Sequence, residues 1–385
     1  MKHTLREHLE QFAHLLQSKL LPVLEEELSE ISALNQRLIA VLNLIPLARY
    51  IPSSRGWIGR PSKDRLSIAR AFVAKAVYNF ENTRDLLDRL DHDSQLRSIC
   101  GWKYTRQVPS ESTFSRAFAE FAEMQLPQFV HEALIRETQR DRLIGHIARD
   151  STAITVREAV VEKASQRAAQ PKSKARARSK GRNARKARKA GDPPTRLERQ
   201  RTMTLEAMLA ELPCYPSCAA KKSSDGHNQY WKGYKLHLDV ADGQIPISAV
   251  LTAAHVHDSQ VAIPLSTLTA RRVTTLYELM DAAYDAQEIM DYVRQQGRVP
   301  IIAPTARGRK PASVIVRNYP RQLSPAEEDR FCERTMVERS YARLKDEFGA
   351  RSVRVRGAAK VMAHLMFGVL ALTADQILRL VVDSG

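Results

Sequence analysis

The feature that most constrains this chain is the order in which strand-like and helix-like periodicities follow one another between residues 141 and 350. LIGHIARDSTAIT, from Leu143, reads as a strand with Asp150 near its end. Residues 233–253 read as a hairpin: Tyr234, Leu236, Leu238 and Val240 alternate up to an Asp242-Gly243 turn, and Ile245, Ile247 and Ala249 continue beyond it. A helix at about 259–270 precedes a fourth strand, TTLYELMD, which ends at Asp281. A helix at about 286–296, a fifth strand RVPIIAP, a basic loop RGRKP and a long helix at about 325–348 complete the series. Three strands, helix, strand, helix, strand, helix predicts an α/β domain: a mixed five-stranded sheet with helices on both faces.

The flanking segments read as helical. Over residues 1–48, Leu5, Leu9, Phe12, Leu16 and Leu20 recur at helical spacing, Pro22 interrupts, and Leu28, Ile31, Leu34, Leu38 and Leu42 resume the stripe. This arm reads either as a helical hairpin packed on the rest of the chain, the favoured reading, or as a dimerisation arm. Residues 49–140 read as an all-helical domain. A Gly/Pro/Ser-rich loop at 51–61 leads to helices at 64–80 and 83–90 and to VPSESTFSRAFAEFAE at 108–123. In that last helix Ser110 is the predicted N-cap, with Thr113 three residues on, and Phe114, Phe118 and Phe121 line one face. Either a DNA-binding helix-turn-helix-like unit, exposing Ser112, Ser115 and Arg116, or a plain helical bundle fits this pattern. Residues 351–385 read as a C-terminal helix.

Charge narrows the partners. The chain carries +17, and ten Lys/Arg with no acid fall within residues 171–190, PKSKARARSKGRNARKARKA. Such an excess points to a polyanion. The tract interrupts the domain between its first two strands, as an insertion at about 160–205. Its nearly sole apolar residue is Ala, so it reads as a disordered linker whose Lys172, Lys174, Arg176, Arg178, Arg185, Lys186, Arg188 and Lys189 would grip DNA phosphates without sequence preference. A membrane partner is disfavoured, because the most apolar stretch, 361–380, is interrupted by His364, Asp375 and Arg379. With no N-terminal signal pattern and only four cysteines, the expected location is the cytoplasm.

The predicted element order is that of the ribonuclease-H-like fold, in which the strands carrying Asp150 and Asp281 are sheet neighbours. A third acid is expected from the last helix. At about 100° per residue, Phe331, Arg334, Glu338 and Lys345 fall within about 60° of arc, beside an apolar stripe of Val337, Tyr341, Leu344 and Phe348. Three converging carboxylates repel one another unless cations sit between them. Hard oxygen donors suit Mg²⁺ or Mn²⁺, and two such ions can clamp an in-line phosphoryl transfer. Asp150, Asp281 and Glu338 are therefore the predicted catalytic and metal-binding residues, with Arg334 and Lys345 on the flanking DNA phosphates.

The same residues carry a family resemblance. The run Phe331-x2-Arg334-x3-Glu338-x6-Lys345 resembles the Y-x2-R-x3-E-x6-K third motif of one group of bacterial insertion-sequence transposases of the DDE superfamily, with Phe331 in place of the Tyr. Asp281-Ala-Ala-Tyr284-Asp285 is similar to that group's D-x-x-Y-D motif, and GYKLHL and HVHDS also match its pattern. The resemblance implies cleavage of transposon ends in double-stranded DNA and their joining to target DNA, by a homodimer on DNA. The alternative is a catalytically inactive DNA-binding protein of transposase descent. Weaker signals favour structural roles: Cys214-x3-Cys218 lacks a second ligand pair for zinc, His255 and His257 read as turn residues, Trp231 as packing, and Asp285 as the N-cap of the next helix.

Overall fold

The computed structural model describes residues 31–51, 63–158, 193–222, 228–304 and 323–382. The basic tract at 171–190, with all eight cationic residues assigned above to DNA, lies outside these residues, as do most of the N-terminal arm and the loop RGRKP.

The predicted sheet forms. Its strands are β1 (Leu143–Thr155), β2 (Ser217–Lys222), β3 (Asn228–Ala241), β4 (Ile245–Ala253), β5 (Thr274–Met280) and β6 (Val299–Ile302). β3 lies antiparallel to both β1 and β4, while β1, β5 and β6 run parallel to one another. The order β4-β3-β1-β5-β6 gives the mixed sheet of the ribonuclease-H-like arrangement. Short β2 is an addition to the five expected strands: it pairs with the first half of β3, ahead of the β1 pairing. Gly233 sits at that handover with φ +151°, and a Cβ there would stand 2.0 Å from the Ile154 carbonyl oxygen. No side chain fits at that separation, which accounts for the glycine opening GYKLHL.

The helices are α1 (Ala33–Leu44), α2 (Arg65–Val77), α3 (Thr83–His92), α4 (Ser94–Cys100), α5 (Glu111–Glu123), α6 (Leu126–Gln139), α7 (Arg196–Gln200), α8 (Leu205–Glu211), α9 (Ser259–Ala270), α10 (Gln287–Gln295), α11 (Pro325–Phe331), α12 (Thr335–Asp346) and α13 (Ala358–Val382). α7 lies near the end of the insertion expected at about 160–205 and α8 follows it; both pack against α9. The N-terminal helices are not walled off from the sheet. One continuous core joins Leu38, Phe72, Phe114, Phe118 and Leu134 to Ile154, Leu236, Val337 and Phe367. α13 supplies the continuity, touching α1, α2, α5, α6, β4 and α12. Its length and apolarity would suffice to cross a membrane, but 83% of that apolar stretch is buried inside the protein, so these properties serve the core.

Several local expectations change. Ser110 occupies the N-cap position of α5, yet its hydroxyl meets Ser112 and Thr113 hydroxyls rather than a backbone N–H. Ser112, Ser115 and Arg116 are exposed as expected. Asp285 closes a 3-10 turn at Ala282–Tyr284, and Ala286 precedes α10. The last long helix is broken: a 3-10 turn at Cys332–Arg334 separates α11 from α12.

Candidate active site

Asp150 lies in the middle of β1 rather than at its end, because β1 outlasts its neighbour β5. The parallel pairing stops at Arg149↔Met280, so the next residue on each strand, Asp150 and Asp281, comes at the same level. β1 continues past this point on β3 alone, down to Thr155. Asp281 turns the chain out of the sheet, its Oδ1 accepting the Ala283 N–H at 2.9 Å.

Successive strand residues face opposite sides of a sheet, and the two sides differ sharply here. Arg149 is wholly buried on the α9 side. It grips Asp239 with two nitrogens at 2.7 Å each and Glu278 at 2.9 Å. Ser266 and Thr269 of α9 complete the carboxylates, as does Arg298 at the start of β6. This network crosses β3, β1 and β5, and so ties down the register that aligns Asp150 with Asp281.

The other side carries the candidate chemistry. α12 buries Val337, Tyr341 and Leu344, with Phe348 beyond it, each worth about 1.5–3 kcal/mol when taken from water. The Tyr341 hydroxyl accepts the Leu238 N–H at 3.0 Å and shares its proton between the carbonyls of Asp150, at 2.7 Å, and Leu236, at 3.0 Å. This anchor fixes α12 at the level of Asp150. A tyrosine in an apolar helical stripe gave no sign of the role; a buried phenol in need of partners was the only available signal.

Glu338, 53% exposed, and Asp150, 23% exposed, then flank Arg334. The Arg334 guanidinium contacts Glu338 at 2.6 Å and Asp150 at 3.6 Å, with the Phe331 ring beneath it at 5.7 Å. Lys345 donates to the Thr152 hydroxyl at 2.6 Å, two residues along β1. Arg334 and Lys345 thus converge on one stretch of β1. Burial pushes the Asp150 carboxyl up to about 6; the Asp281 charge adds to this, while the Ser151 N–H and Arg334 oppose it.

Asp258, from HVHDS, stands next to this group. It accepts from Ser151 at 2.9 Å and from Lys235 at 2.8 Å, close to buried His237. His255 and His257 bond serine hydroxyls, as turn residues do. Trp231 is half-buried, its indole N–H directed at the Tyr234 carbonyl. Cys214 and Cys218 are free and exposed.

The chemistry of Asp150, Asp281 and Glu338 fits divalent cations: all donors are hard oxygens, the buried acid is short of positive charge, and Arg334 supplies a positive group between two of the three. Among the described residues, no three His, Cys, Asp or Glu side chains stand close enough to share an ion as they are. Drawing the acids together would require Arg334 to leave them.

Comparison with known families decides the wider question. The family described as Transposase DDE domain matches residues 141–374, well over half of the chain. The chain belongs to the DDE transposase family. A second family, Transposase domain (DUF772), matches residues 26–120, most of the helical region. No curated protein and no solved structure matches the chain. The two family matches together indicate a transposase, an enzyme that acts on DNA, and members of the DDE family generally use divalent metal ions.

Proposed function

We propose that this transposase cleaves the ends of its element in double-stranded DNA and joins them to target DNA, with Asp150, Asp281 and Glu338 holding two divalent cations, Mg²⁺ or Mn²⁺. The observation that carries this reading is the register of β1 on β5, which sets Asp150 beside Asp281 while α12 is bolted to the Asp150 carbonyl and presents Glu338 on the same side. Cations bound there would activate the attacking water or 3′-hydroxyl and stabilise the leaving oxygen.

The protein's own groups do the rest. Arg334 neutralises Asp150 and Glu338 in the resting enzyme and, once released, is placed to grip a phosphate beside the scissile bond. Lys345, two residues further along β1, offers a point charge to the next phosphate. Residues 49–140 serve as the helical DNA-binding region, and the basic tract at 171–190 adds affinity without sequence preference. Holding two ends together calls for a homodimer on DNA, working at the nucleoid in the bacterial cytoplasm.

The test is cleavage and strand transfer by Asp150→Asn, Asp281→Asn and Glu338→Gln. Each should abolish both reactions with DNA binding retained. Cleavage surviving in one variant would remove that residue from the triad.

A further inference from the structure

A cleft of about 810 Å³, with none of the three carboxylates in its lining, lies between the helical layer and the segment joining α12 to α13. Six cationic side chains line it: Lys75, Arg84, Arg157, Arg354, Arg356 and Lys360. Lys75 is spent on the carbonyls of Phe80 and Glu81, at 2.8 and 3.1 Å. Three helices, α3, α5 and α13, also begin here, so their free N–H groups add partial positive charge.

Carboxylates of the protein already occupy several of these positions. Glu81 pairs with Arg354, Glu111 with Arg84 at 3.1 Å, and Glu158 accepts the Gly357 N–H at the start of α13. Each stands where a phosphate oxygen would find the same donors. Among the described residues, no acid partners Arg356 or Lys360.

The cleft is connected to the candidate active site through β1. Arg157 follows Val156, which bridges to Val353, and lies seven residues beyond Asp150. At the rise of a strand that is about 23 Å, the axial rise of about seven successive phosphates of one DNA strand.

We propose that this cleft clamps the backbone of duplex DNA about seven nucleotides from the phosphate acted on at Asp150. Arg356 and Lys360 are the cations of the clamp that no acid among the described residues holds, and Glu81 and Glu111 the protein's own carboxylates that duplex phosphates displace. The proposed distance rests on the active-site reading above; the binding does not.

The experiment measures the salt dependence of binding to a mixed-sequence duplex, in EDTA, with the full chain. Arg356→Ala/Lys360→Ala should lower affinity and flatten the slope of log K against log salt by about 2, the loss of two phosphate contacts. Glu81→Gln/Glu111→Gln should raise affinity several-fold by freeing Arg354 and Arg84. Arg271→Ala, which removes an exposed charge paired with Glu206 elsewhere, should leave the slope as it is. An unchanged slope in the double alanine variant, or an equal loss in Arg271→Ala, would overturn the clamp. So would protection of Lys360 from acetylation by pyrophosphate with none by duplex, which would mark a small-anion site. Because no cleavage is scored, failure of the carboxylate triad would leave these readings intact, and failure of the clamp would leave the triad standing.

Discussion

Asp150→Asn should stabilise the metal-free protein while removing its activity, and the size of the effect follows from the site. The carboxyl is held up to about 6 from an ordinary value of 3.8. A carboxyl raised in the folded state contributes stability that is fully present below the unfolded value and is lost as pH rises through the folded one, here between about pH 4 and 6. Above that window the ionised side chain costs the fold about 3 kcal/mol at most, from roughly two units at 1.4 kcal/mol each. Solvent around the 23%-exposed side chain trims this to about 2 kcal/mol. Asparagine is nearly isosteric and still accepts the Ser151 N–H through its oxygen, so the variant should recover most of that cost. The melting temperature in EDTA should rise by about 2–3 °C at pH 7.5, and by about half as much at pH 5, midway through the window between the unfolded and folded values. Scanning calorimetry at the two pH values checks this. An equal rise at both, or a fall at pH 7.5, would refute the account of Asp150 as a buried acid short of positive charge.

Other perturbations follow from the same geometry. Arg149→Met should destabilise the fold by about 3–5 kcal/mol, because it leaves Asp239 and Glu278 buried without their partner; denaturant unfolding at neutral pH measures it. Tyr341→Phe should cost about 1–3 kcal/mol by orphaning the Leu238 N–H and the carbonyls it bridges, and should lower cleavage more than DNA binding. Lys345→Ala should reduce strand transfer well beyond twofold at fixed Mg²⁺, with Lys345→Arg milder; an effect under about twofold would make Lys345 an ordinary helix charge.

Much of this arrangement can be read from the sequence, and the exceptions have physical causes. The hairpin at 234–249 is legible because alternation and the Asp242-Gly243 turn agree. Asp281 is legible because β5 does end there. The extent of β1 is legible too, but Asp150 reads as close to its end because polar residues follow it, whereas pairing with β3 carries the strand five residues further, to Thr155. Arg149 carries no sign of burial, since its partners Asp239, Glu278 and Arg298 are scattered along the chain and meet only in the sheet. The break at Cys332–Arg334 is invisible because a 3-10 turn barely disturbs the spacing of the apolar stripe. The N-terminal helices read as a separate domain because each has its own apolar face. That those faces share α13 with the sheet is a property of packing between segments some 250 residues apart, which local periodicity does not encode.

The most direct measurement is a crystal structure of the protein grown with Mn²⁺, with anomalous scattering used to locate the ions. The account predicts Mn²⁺ bound by Asp150, Asp281 and Glu338, with Arg334 moved off Asp150 and Glu338. Arg334 still bridging those two acids with no manganese at the three carboxylates, in protein that cleaves DNA in the same buffer, would contradict it.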